Sequence, residues 1–119
     1  MKFEPTFGTA APLVGMVHLP PLPGAPKAPD DGDKAMRAAL DRAASDARAL
    51  DRGGVDGIVI ENFGDAPFYP DEVPPHVVAG VTRAATAVAA ETDIPLGINV
   101  LRNDAEAALS IAAAVGADF

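Results

Sequence analysis

The chain has 119 residues, 49% of them hydrophobic, which suffices for one small domain with a real core and excludes a disordered chain. It contains no cysteine, so disulfides, thiolate metal sites and a cysteine nucleophile are excluded; the same usage suits a cytoplasmic protein. The net charge of −8 makes nucleic acid and anionic membrane poor partners, because phosphate binding needs a basic face, and no apolar run reaches the roughly 18 residues of a membrane span.

Two readings of the acidity remain open: a solvated surface suited to high salt, or ordinary acidity with no special habitat. The start, Met1-Lys2-Phe3-Glu4-Pro5, lacks the basic and apolar regions of a signal peptide. The first apolar run, residues 13–17, predicts a buried strand. It leads through His18-Leu19 into Pro20-Pro21-Leu22-Pro23-Gly24-Ala25-Pro26, whose proline density forbids both helix and ladder pairing. The Gly24 end of that loop reads as a lid hinge or as simple punctuation. Asp30 to Asp33 offer helix caps, and from Lys34 onward Met36, Leu40, Ala43, Ala47 and Leu50 keep one helical face. Gly53-Gly54 stops that helix.

Residues 57–61 predict the second strand, closed by Glu61-Asn62 and followed by a long loop in which Asp65 and Asp71 suit turns or caps. Pro74-Pro75 can open a second helix, with Val77, Val81, Ala84, Ala85 and Val88 on its buried face. The third strand is predicted at 96–100. Asn103 and Glu106 then stand at capping-box spacing before a third helix that ends on Gly116. The last residues, Gly116-Ala117-Asp118-Phe119, repeat the pattern of Gly54-Val55-Asp56-Gly57: a helix closes on glycine, an aspartate follows, and an apolar strand begins.

The order is therefore βαβαβα with a fourth strand beginning. Continuous apolar strands imply that both sheet faces are covered and that the sheet is parallel. The two candidates are the N-terminal part of a (β/α)8 barrel and an open doubly wound sheet; the missing Gly-x-Gly-x-x-Gly after the first strand weakens the dinucleotide-binding form of the latter. A full barrel needs about 250 residues, so a chain of this length is expected to be a piece of a larger βα architecture, with its missing half or a second copy as partner.

Chemistry in such folds gathers at the carboxyl ends of strands. That rule selects His18, Glu61-Asn62, and Asn99 with Arg102-Asn103. Glu61 follows four apolar residues and is expected to be partly desolvated, as a general base, metal ligand or hydroxyl-binding carboxylate; the structural alternative is an ion pair at the barrel mouth with Arg102. His18 suits proton transfer or metal ligation, or a ring that only bonds a loop carbonyl. Asn62 and Asn99 suit a sugar hydroxyl or an oxyanion, or else stitch a loop. Arg102 suits a phosphate or carboxylate, or solvent. His18 and His76 form no local metal-ligand spacing, and no motif names a cofactor or a metal.

Three stretches carry a resemblance. They are Gly15-Met16-Val17-His18-Leu19-Pro20-Pro21-Leu22-Pro23-Gly24, residues 53–68 centred on Ile58-Val59-Ile60-Glu61-Asn62-Phe63-Gly64-Asp65, and Pro95-Leu96-Gly97-Ile98-Asn99-Val100-Leu101-Arg102-Asn103-Asp104. Together they resemble the BtpA/SgcQ family, in order and over nearly the whole chain. The resemblance implies a TIM barrel related to the ribulose-phosphate-binding group. It also implies either an enzyme acting on a small sugar-like or phosphorylated metabolite, or a non-catalytic factor of the photosystem I biogenesis type that works by protein contact. Members are longer than this chain, so the strands that usually hold phosphate in such barrels lie outside it.

Overall fold

The computed structural model describes residues 2–119. The elements run α1 (Glu4–Phe7), β1 (Val14–His18), α2 (Gly32–Gly53), β2 (Gly57–Glu61), a 3-10 turn (Phe63–Asp65), α3 (Pro75–Ala89), β3 (Leu96–Asn99) and α4 (Ala105–Val115). The strands form one sheet in the order β1-β2-β3, and both pairings are parallel. This is the architecture of the N-terminal part of a (β/α)8 barrel. It comprises three βα units and the first step of a fourth strand, where Phe119 N–H donates to the Leu96 carbonyl (3.1 Å) and Ile98 N–H donates to the Phe119 carbonyl (3.2 Å).

Local chemistry accounts for the helix limits. Asp31 caps α2 by accepting from Asp33 N–H (3.0 Å) and Lys34 N–H (3.2 Å), so the helix starts slightly earlier than the apolar periodicity alone predicts. Gly54 ends it at φ 83°, a left-handed conformation that glycine adopts without a Cβ penalty. Pro75 sits at the first turn of α3, where its missing N–H costs nothing. The capping of α4 differs from the expected Asn103–Glu106 box. Asp104 is the cap, accepting from Ala107 N–H (2.9 Å) with one oxygen and from Val73 N–H (2.8 Å) with the other. Asn103 instead turns the chain at φ 66°. The two oxygens of the carboxylate serve the helix and the distant loop at once.

Side chains alternate across the sheet, and the two faces differ. Val17, Ile58, Ile60 and Leu96 are fully or almost fully buried under the helices, with the alanines of α2 (Ala39, Ala43, Ala47) and Val81, Ala84, Ala85 and Val88 of α3. A Cβ on Gly15 of this face would meet Leu50 of α2 at 2.6 Å, so glycine lets the helix lie close to β1. The other face carries Met16, Val59 and Gly97. It is closed only at its floor, where the Phe7 and Phe119 rings meet edge to face at 4.9 Å against Gly57 and Gly97. Met16 above them is 41% exposed. The strands are thus apolar on both sides, as expected, but among the described residues only the helix side is fully covered.

Candidate functional site at the strand ends

The strand register sets the site. His18 pairs with Glu61, and Glu61 pairs with Asn99, so three polar residues stand in one row at the carboxyl ends of β1, β2 and β3. Alternation puts all three on the open face, one layer above Met16, Val59 and Gly97. Glu61 is the centre of the row. Asn99 Nδ2 donates to its Oε2 at 2.7 Å, and His18 Nε2 lies 3.6 Å from its Oε1. The Glu61 side chain is only 12% exposed whereas that of His18 is 47% exposed. A shielded carboxylate between an amide donor and an accessible imidazole can exchange a proton with a bound molecule or orient a hydroxyl group.

The remaining expected residues occupy different places. Asn62, expected either to meet a sugar hydroxyl or oxyanion or to stitch a loop, is buried at 2% exposure. Its Oδ1 accepts from Leu101 N–H (2.7 Å) and its Nδ2 donates to the Leu101 carbonyl (3.1 Å), so the amide clasps the loop after β3. Arg102 is exposed and, among the described residues, makes no ion pair with Glu61; its backbone N–H donates to the Tyr69 carbonyl and its carbonyl accepts from Asp71 N–H. Asn103 is also exposed and lines an open cavity of about 470 Å³ with Asn99, Ala105 and Leu109, between β3 and α4. His76 is outside the row, against Gly24.

Sequence reasoning missed the roles of Phe63 and Gly64, just after Glu61. Phe63 stacks on His18, with ring centroids 4.5 Å apart and planes 14° from parallel. Gly64 lies so close to the backbone of Leu19, Pro20 and Pro21 that a Cβ would come within 2.6 Å of it. Asp65 is buried and accepts from Leu22 N–H at 2.8 Å. Burial pushes the Asp65 carboxyl above its ordinary value, opposed by the Leu22 N–H, the Asn62 amide and the charge of His76. Leu22 itself is buried against Gly80 of α3. The proline-rich loop is therefore pinned at Leu22, and Gly24 at φ 93° serves close packing on His76. The available signal was Phe63 itself, an aromatic set directly after the strand-end pair Glu61-Asn62.

A row of polar strand ends over an open apolar face is common to many barrels, so the comparisons with known proteins decide the family. The model of the BtpA family matches residues 9–119. The chain belongs to the BtpA family. Within it, an uncharacterised protein of Archaeoglobus fulgidus is 50% identical over 107 residues, covering 90% of this chain and 41% of the relative. The photosystem I biogenesis protein BtpA of Synechocystis is 46% identical over all 119 residues and 40% of its own length. The putative sgc region protein SgcQ of Escherichia coli is 36% identical over 94% of this chain and 40% of its own. The chain thus spans about 40% of the length of these BtpA-family relatives. No solved structure matches it.

Among the described residues no cluster of three or more His, Asp or Glu side chains is arranged to hold a metal ion. No helix among them is long and apolar enough to cross a membrane.

Proposed function

We propose that this BtpA/SgcQ-like chain supplies the proton-handling side of an enzyme acting on a small sugar-like or phosphorylated metabolite. Glu61 is the general base or acid and His18 the complementary proton carrier. Asn99 orients Glu61 and offers its remaining polar atom to the ligand. Arg102 and Asn103 stand at the rim as ligand contacts, and Asn62 acts through the Leu101 loop that carries them. The single observation behind this reading is the row His18, Glu61, Asn99 in strand register on the open face, with Glu61 shielded and His18 accessible. The whole site includes residues beyond this chain, on the missing half of the barrel or a second copy. The reading takes the protein as cytoplasmic, which a chain without cysteine suits.

The second reading is a non-catalytic factor acting by protein contact. It is favoured by the name of the Synechocystis relative, which is 46% identical. One series of measurements separates the two. Thermal-shift screening against sugars and sugar phosphates identifies a ligand, and turnover is then followed in the wild type and in Glu61→Gln. Glutamine keeps an acceptor for Asn99 but removes the proton chemistry. The enzyme reading expects turnover to fall about 10²-fold or more with the unfolding midpoint unchanged. Near-normal turnover removes Glu61 from the chemistry, and collapse of the fold makes it structural.

A further inference from the structure

Phe63 is 53% exposed, yet it stacks almost parallel on the imidazole of His18. The backbone that carries it is immobilised on both sides. Asn62 clasps Leu101, Gly64 abuts the backbone of Leu19 to Pro21, and Asp65 holds Leu22. Four consecutive residues after Glu61 thus reach the loops after β1 and β3, and one of them ends on a reacting group. His18 needs such a partner. The distance of 3.6 Å between its Nε2 and Glu61 Oε1 is too long for a strong hydrogen bond, so the carboxylate alone does not set the ring plane.

We propose that Phe63 is a positioning residue: its ring holds the His18 imidazole in the plane that turns Nε2 toward Glu61. The inference rests on the reading of His18 and Glu61 as the reacting pair. An aromatic stack biases ring orientation by roughly two- to tenfold over a free rotamer, enough to keep a half-exposed histidine facing its partner. The aromatic face matters more than hydrophobicity, since an aliphatic side chain on the same backbone covers the ring without aligning it.

The chain has two histidines, so ring resonances of His18 and His76 can be assigned by NMR. In the folded wild type the His18 ring protons are expected upfield of their positions in the urea-unfolded chain, with cross-relaxation to the Phe63 ring. The His18 ring protons that flank Nε2 are expected to show cross-relaxation to the Glu61 side chain. Phe63→Tyr should preserve both features. Phe63→Leu should abolish the ring-current shift and weaken the cross-relaxation of the His18 ring to Glu61, with the His76 signals unmoved. An unshifted His18 in the wild type, or undiminished cross-relaxation of its ring to Glu61 in Phe63→Leu, overturns the proposal; the first needs no variant to fold. Normal turnover in Glu61→Gln would instead defeat the enzyme reading and leave the stacking result standing.

Discussion

Asp118 stands to β3 as Asp56 stands to β1. The Asp56 carboxylate accepts from Leu13 N–H at 2.8 Å, and Asp56 N–H donates to the Leu13 carbonyl at 2.8 Å. The Asp118 carboxylate accepts from Leu96 N–H at 3.0 Å, and Asp118 N–H donates to the Leu96 carbonyl at 2.7 Å. Each aspartate follows a left-handed glycine that ends a helix, and each clasps the start of the preceding strand just as the chain enters the next one. The clasp satisfies a strand-end N–H that no ladder partner reaches. Asp56→Ala is expected to cost about 1–2 kcal/mol, measured by chemical denaturation. Asp118→Ala should act in the same direction, and an unchanged midpoint in both would show the clasps to be incidental.

Replacing Asn62 by alanine strands the half-buried Leu101 N–H and carbonyl. The expected loss is about 2–3 kcal/mol, together with freer exchange of the backbone amides at 101–104. Asn62→Asp keeps the acceptor for Leu101 N–H but sets a carboxylate against the Leu101 carbonyl and beside Asp65. It should therefore be worse than alanine at neutral pH and recover partly in acid, as a denaturation series across pH would reveal.

Two buried carboxylates pull the acid stability profile in opposite directions. The bonds from Ala107 N–H and Val73 N–H hold the Asp104 carboxyl below its ordinary value of 3.8. Its contribution is present above 3.8 and is lost as pH falls through the depressed value. Burial raises the Asp65 carboxyl above 3.8. In the window between 3.8 and that raised value the folded state holds the extra proton, so stability falls as pH rises. Asp65→Asn keeps an acceptor for Leu22 N–H and cannot ionise. It is expected to flatten the decline above 3.8 while leaving the loss at lower pH in place. A profile identical to wild type would contradict this assignment.

The open face predicts association. Met16 on that face is 41% exposed, Leu13 before the edge strand β1 is 64% exposed and Leu109 of α4 is 71% exposed, and Phe119 occupies only one step of the opposite sheet edge at β3. Sedimentation equilibrium of the chain alone should give an average mass above that of the monomer and rising with concentration, and Met16→Lys should shift it toward monomer. A compact monomer with one cooperative unfolding transition would count decisively against it.

The sequence by itself determined the parallel α/β order, the helix faces and the three strand ends. Those features depend on periodicity and on glycine, proline and aspartate at turns, which act over a few residues. It also placed His18, Glu61 and Asn99 together, because parallel strands in a continuous βα series bring their carboxyl ends to one side. The Gly-x-Asp repeat was legible for the same reason, since one local solution to ending a helix and starting a strand occurs twice. What only the tertiary structure decided is which partner each polar side chain takes. Asn62 meets Leu101 across 39 residues, Asp104 meets Val73 across 31, and Asp65 meets Leu22 across 43. Nothing local distinguishes an asparagine that clasps a distant loop from one that faces a ligand, and the spacing that pointed to Asn103 as a cap carries no sign that Val73 folds against Asp104. The stack of Phe63 on His18 has the same origin, for it exists only once β1 and β2 lie side by side in register.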